Sequence, residues 1–342
     1  MKMKLVALAA MVAAGAASAQ SSVTLFGIVD VGVSHYSVSG GQSVTKMTAN
    51  GYNSDRIGVR GQEDLGGGMS ASFWLEGAMS PQDGTASGLS FTRRSTVSLA
   101  GNWGELRLGR DYTPSFWNLT IFDPFGTNGV GTDIAMAAKA AVKDPTFVRS
   151  NNAIGYFLPS HLGGFYGQVQ YAFSNKTADK TGQYQGLRVG YAAGPVNVAL
   201  ALGNTATQTK SDANPEINTM NIGGSWDFGV AQALAMYDDS KYDNGTMPYH
   251  LKTYLIGGLV PVGAGQIRAS YGNLKVTGTG GAAPEASQWA LGYVHNLSKR
   301  TALYATYAHL SNKNGANLSY GGLTATGGAS GNGYDLGIRH SF

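Results

Sequence analysis

Apolar and polar positions alternate with a period of two along most of the chain. From Val23 to His35, the set Val23, Leu25, Gly27, Val29, Val31 and Val33 interleaves with Thr24, Phe26, Ile28, Asp30, Gly32 and Ser34. Successive side chains of a strand point to opposite faces, so this pattern predicts a strand with a greasy face and Asp30 on the other. The same rule sets Ile57, Val59 and Gly61 against Arg56, Arg60 and Gln62, and Met69, Ala71, Phe73 and Leu75 against Ser70, Ser72, Trp74 and Glu76. Further on, Ser95, Val97 and Leu99 oppose Arg94, Thr96 and Ser98, and Phe165, Val169 and Tyr171 oppose Tyr166, Gln168 and Gln170. The chain closes with Tyr334, Leu336, Ile338, His340 and Phe342 against Asp335, Gly337, Arg339 and Ser341.

The connections between these stretches take turns in length. Short ones, such as Asp64–Gly68, Gly101–Gly104 and Asn296–Arg300, carry the Gly, Asn, Asp or Pro that tight turns require. Long polar ones lie between them, among them Tyr36–Ser54, Tyr112–Val148 and Ser311–Gly331. Seven short turns and eight long loops predict 16 strands in antiparallel order. Arg and Glu at mid-strand would be prohibitively costly in a dry core, which argues against a soluble sandwich. No stretch of the mature chain supplies the roughly 18 apolar residues that a spanning helix needs. The pattern therefore predicts an all-β fold, a transmembrane barrel closed around water, because only helices and closed sheets satisfy their backbone in lipid.

Composition refines this picture at the ends and in the compartment. Lys2 and Lys4 precede an apolar run from Leu5 to Ala14, and Ala17-Ser18-Ala19 forms a small-residue cleavage site. Residues 1–19 are expected to be a signal peptide, leaving one barrel domain over residues 20–342. Losing two lysines there takes the formal charge from +4 to +2, and no basic run points to nucleic acid. With no cysteine, an exported chain must rely on backbone pairing and packing.

Several motifs resemble the general diffusion porins of β-proteobacteria, the neisserial and Burkholderia-type group. They are Ser22-Val23-Thr24-Leu25-Phe26-Gly27, then Asp55-Arg56-Ile57-Gly58-Val59-Arg60-Gly61-Gln62-Glu63-Asp64-Leu65-Gly66, and Leu108-Gly109-Arg110. Leu297-Ser298-Lys299-Arg300-Thr301-Ala302-Leu303-Tyr304 and the closing Gly337-Ile338-Arg339-His340-Ser341-Phe342 complete the series. The resemblance implies a 16-stranded barrel in the Gram-negative outer membrane, set in phospholipid and lipopolysaccharide and commonly a homotrimer. It also implies that the terminal Phe342 is read by the barrel-assembly machinery, and that the third long loop folds inward.

That third loop, Tyr112–Val148, begins with Tyr112, Phe116, Trp117, Phe122 and Phe125, too aromatic for a disordered segment. The inner wall is the surface on which such rings would pack, and the Ala-rich Ile134–Val142 predicts a short helix. Alternation turns Arg56, Arg60 and Arg94 to the lumen, with Arg149 at the top of the sixth strand; the family resemblance implies that this wall faces acids of the inserted loop, here Asp123 and Asp133. Glu76, Arg188 and Arg268 are further lumen candidates, whereas Arg93 and Arg110 sit on the wrong register for the lumen by simple alternation, so a bulge or strand end must intervene there. Bases outnumber acids along the path, which predicts a preference for anions.

Catalysis finds no support. The six histidines never reach zinc-ligand spacing, and no nucleophile elbow or phosphate-binding loop occurs, so neither an enzyme nor a cofactor is expected. A substrate-specific channel is the competing expectation, with Trp74, Tyr166 and Tyr254 as an aromatic ladder.

Overall fold

The fold was taken from a computed structural model, which describes residues 22–85, 90–176, 180–207, 216–243, 247–281 and 283–342. The expected signal segment, residues 1–19, lies outside the described residues. Strands run as β1 (Ser22–Val38), β2 (Ser43–Ala49), β3 (Arg56–Gly66), β4 (Met69–Ala78), β5 (Arg94–Gly101) and β6 (Gly104–Tyr112). After two helices come β7 (Arg149–Phe157), β8 (Phe165–Ala172), β9 (Tyr184–Ala193), β10 (Val196–Ala206), β11 (Glu216–Asp227) and β12 (Gln232–Asp243). The series ends with β13 (Tyr249–Val262), β14 (Gly265–Thr277), β15 (Glu285–Asn296), β16 (Thr301–Lys313) and β17 (Gly331–Ser341).

Every strand pairs antiparallel with its neighbour, and β1 pairs with β17, so the sheet is closed. The seventeen segments make the sixteen staves that the sequence predicts, because β2 and β3 share one. The upper half of β1 pairs with β2 (Val31 opposite Ala49), and its lower half pairs with β3 (Gly27 opposite Ile57). Residues 50–55 leave the wall between them. The region expected as one long loop, Tyr36–Ser54, is thus mostly strand around a tight tip at residues 39–42.

Closure is sealed by the last residue. Phe342 and Gly27 exchange two backbone hydrogen bonds of 3.1 Å, and a Cβ on Gly27 would lie 2.3 Å from the Phe342 ring. Only glycine lets the terminal ring lie flat on the first strand at that point. The outward faces expose Val23, Leu25, Phe73, Val97, Val169, Leu291 and Leu336, the greasy register of the sequence. Their alternate positions, Asp30, Thr96, Gln168, Arg188, Asn221, Asp238 and Asp335, are buried.

The third long loop fills one sector of the lumen. It holds two helices, α1 (Pro114–Ile121) and α2 (Ile134–Ala141). Pro114 opens α1 at a position where its missing N–H costs nothing, and the Asp133 side chain caps α2 by accepting from the Ala135 N–H. The short helix predicted over Ile134–Val142 is α2; α1 was not anticipated. Leu119, Phe122 and Ala135 pack against the inward Ala199, Met236 and Leu255, while Phe125 and Val130 pack against Ala290 and Ala308. The wall is hollowed to receive them: a Cβ on Gly223 would lie 2.2 Å from the Phe122 ring, and one on Gly333 2.6 Å from Val130.

Candidate pore constriction

Hydrogen bonds pin the loop across the lumen. Asn118 donates to the Ala199 carbonyl and to Asn221 (3.1 Å each), and its Oδ1 accepts from Arg188 Nε at 2.5 Å. Lys139, on α2, donates to Asp238 and to Ser240 Oγ at 2.6 Å, all three buried. At the loop tip the Val130 N–H donates to Asp335 Oδ2 (2.8 Å), and the Gly129 N–H to the Asn50 carbonyl (3.0 Å).

Residues 50–55, where the wall breaks, supply that second support. Asp30 accepts from the Tyr52 and Asn53 N–H groups and from Tyr304 Oη (2.7 Å), while Asp55 accepts from the Asp30 and Asn50 N–H groups. Burial and the nearby Asp30 push the Asp55 carboxyl up to about 6, and its hydrogen bonds offset only part of this.

Between the loop and the opposite wall lies a cavity of about 520 Å³. Four arginines line it, Arg56, Arg93, Arg149 and Arg268, together with Tyr52, Tyr112, Trp117 and Asp123. A single network joins three of them. Arg93 Nε lies 2.6 Å from Glu76 Oε1 and Arg56 Nη1 3.5 Å from the same oxygen; Arg93 and Arg149 both donate to Tyr112 Oη, at 2.7 and 2.9 Å. The Arg149 guanidinium also lies over the Tyr112 ring at 4.4 Å, and Arg268 over Tyr52 at 4.2 Å.

The structure redistributes the expected site. Arg56 and Arg149 line the cavity, as does Arg268. Arg60 and Arg94 lie outside it, stacked on Trp74 at 5.0 and 4.6 Å, with Arg94 also 3.8 Å from Asp111. Glu76 holds arginines rather than facing open water, and Arg188 is spent on clamping α1. Arg93 was missed because it precedes β5, where alternation no longer governs direction. The same proviso covers Arg110: the register of β6 against β7 slips between Gly109 and Asp111, and Arg110 bonds Asn151 and the Thr92 carbonyl.

The two loop acids do not face the arginines as an ion-paired rim. Asp123 borders the cavity, but its oxygens accept from the Phe125, Thr127 and Asp133 N–H groups at 2.9–3.0 Å. Asp133 lies outside the cavity as the α2 cap; burial, aided by Asp123 and Asp238 nearby, pushes it up to about 7. Burial likewise raises Asp123 above the usual carboxylate range. The aromatic ladder fares differently again. Tyr254 faces outward, Trp74 is sandwiched between two guanidinium groups, and Arg188 covers Tyr166 at 4.7 Å.

A closed sheet with an apolar outside, narrowed by a pinned loop over an arginine-lined gap, defines a membrane channel. The chain belongs to the Gram-negative porin family, whose model matches residues 6–315. It is 42% identical to outer membrane porin protein 32 of Delftia acidovorans over the full length of both chains. It is 31% identical to an outer membrane porin protein of Bordetella pertussis over 96% of each. Among solved structures, an anion-selective porin from Comamonas acidovorans superposes with a TM-score of 0.87 at 39% identity, covering 94% of this chain and all of that one. The protein is thus an outer-membrane porin of a Gram-negative bacterium, and the site is a passage rather than a catalytic centre.

Proposed function

We propose that the channel passes small hydrophilic solutes by general diffusion and favours anions. The observation that carries this is the charge of the narrow zone. Four guanidinium groups border the cavity, one carboxylate joins them, and that carboxylate is turned toward loop N–H groups. Glu76 offsets part of the charge through Arg56 and Arg93, and Asp123 acts on Arg268 across the cavity, while neither Arg149 nor Arg268 forms a salt bridge among the described residues. Fixed positive charge in a narrow path concentrates anions and repels cations. The solved relative described as anion-selective supports the same sign.

The test is a single channel in a planar bilayer between unequal KCl solutions. The reversal potential should have the sign set by chloride; a potential of the cation sign overturns the proposal. The cell context we infer has three parts. Residues 1–19 direct export and are cleaved, the barrel assembles as a homotrimer among phospholipid and lipopolysaccharide, and Phe342 carries the signal for the barrel-assembly machinery. The exposed terminal ring on an outward register supports the last of these.

A further inference from the structure

The constriction cavity has a neighbour. A second space of about 400 Å³ lies behind the loop tip, against the inner side of β1, β2 and β15–β17. Thr48 stands across from Gly32 and Arg56 from Ile28, so this chamber extends from the gap toward the long-loop side. Ser319, Tyr320 and Gly321 of the last long loop border its outer part. Among the described residues no lysine or arginine lines it, whereas Asp133 and Asp335 do. Its charge is therefore opposite to that of the arginine-lined gap.

The two spaces share three lining residues, Ser54, Thr127 and Asn128. Ser54 Oγ donates to Asn128 Oδ1 at 2.7 Å, and this contact stands between them. Both of its sides are held in place. The Ser54 carbonyl accepts from Arg56 Nε at 2.9 Å, and Asn128 Nδ2 donates to the Gly126 carbonyl at 2.6 Å. Thr127 has a φ of 61°, unusual for a β-branched residue, and this turn brings Asn128 to Ser54. The Thr127 N–H donates to Asp123 Oδ2 at 2.9 Å, which holds the turn.

The tip itself is fastened elsewhere, by the Gly129 N–H on the Asn50 carbonyl and the Val130 N–H on Asp335. Gly129 also presses on the break in the wall, where a Cβ would lie 2.3 Å from the Gly51 carbonyl oxygen. Loss of the Ser54–Asn128 bond would thus open the boundary without releasing the loop. That bond joins two half-buried neutral side chains, a weaker kind of contact than the charged clamps on the helices.

We infer that Ser54 and Asn128 form a partition that sets the size limit of the passage, and that the chamber behind it is a second lane of the pore. Removing the partition adds the acid-lined space to the arginine-lined gap. The charge part of this inference rests on the proposed anion preference; the size part does not.

The test is bilayer recording of N128A and S54A at about pH 8.5, where Asp133 is ionised. Conductance should rise in both, more in N128A, and by less than about twofold because the chamber is the smaller space. The largest polyethylene glycol that enters the pore should grow in mass. The ratio of anion to cation permeability should fall as Asp133 and Asp335 join the path. N128C, the sole thiol in a chain without cysteine, should start wide and narrow again after methylthiolation. The current should stay as steady as in the parent, since a loosened loop would add open-channel noise. Parent-like conductance and polymer limit in both alanine variants overturn the inference, as does a wider pore whose anion preference rises. A parent reversal potential of the cation sign sinks the proposed anion preference, while the polymer limit still decides the partition.

Discussion

Single residues divide the lumen charges into two groups. Arginines that meet a carboxylate, such as Arg93 on Glu76 and Arg107 on Asp111 (2.6 Å each), are held in fixed geometry. Others meet only rings and neutral oxygens, as Arg149 does, and keep their full charge for the passage. The loop acids sort in a similar way, with a consequence for pH. Asp133 is pushed up to about 7 in the barrel, against an ordinary aspartate value of 3.8. Between those values the folded protein holds a proton that the unfolded chain has released. Stability from this residue is therefore complete below about pH 4, falls as pH rises toward 7, and is level above. Asp133→Asn keeps the cap of α2 and removes the titration. The thermal midpoint followed by circular dichroism from pH 5 to 9 should lose part of its downward slope in that variant.

At the scale of elements, legibility followed the reach of the two-residue period. Where a strand is embedded in the wall, as for Phe165–Ala172, every outward and inward position was readable, because lipid and lumen penalise opposite errors. Where the chain leaves the wall the rule lapses, and so Arg93 and the break at residues 50–55 escaped it. The helix α1 escaped for another reason. Its stability comes from wall residues distant in sequence, Asn221 and Arg188 among them, and nothing local announces it. The attachment of α2 can be tested directly. Lys139→Met leaves Asp238 buried without its cation, which should cost about 3–5 kcal/mol. Adding Asp238→Leu should restore most of that loss, since the uncompensated charge leaves with it. A double-mutant cycle on unfolding free energies in detergent checks the pair, and increased open-channel noise in the single variant would report the loosened loop.

For the whole molecule, selectivity is a property of a field rather than of one contact. Arg56, Arg149 and Arg268 approach the cavity from different staves, and the loop's apolar packing on the far sector confines the path beside them. Their reach into the gap depends on screening, with a Debye length of about 10 Å at 0.1 M salt and about 3 Å at 1 M. At low salt the fields of the three arginines overlap across the passage. At high salt each acts only on ions that touch it. The ratio of anion to cation permeability should therefore be largest near 0.1 M KCl and decline steadily toward 1 M. In R56Q/R149Q/R268Q the ratio should be close to its high-salt value throughout, because Arg93 remains paired with Glu76 and Asp123 remains turned to the loop. Reversal potentials at a fixed gradient ratio and rising mean concentration measure both curves. A parent ratio that ignores salt would mean that the gap selects by size or by direct contact instead of by its field.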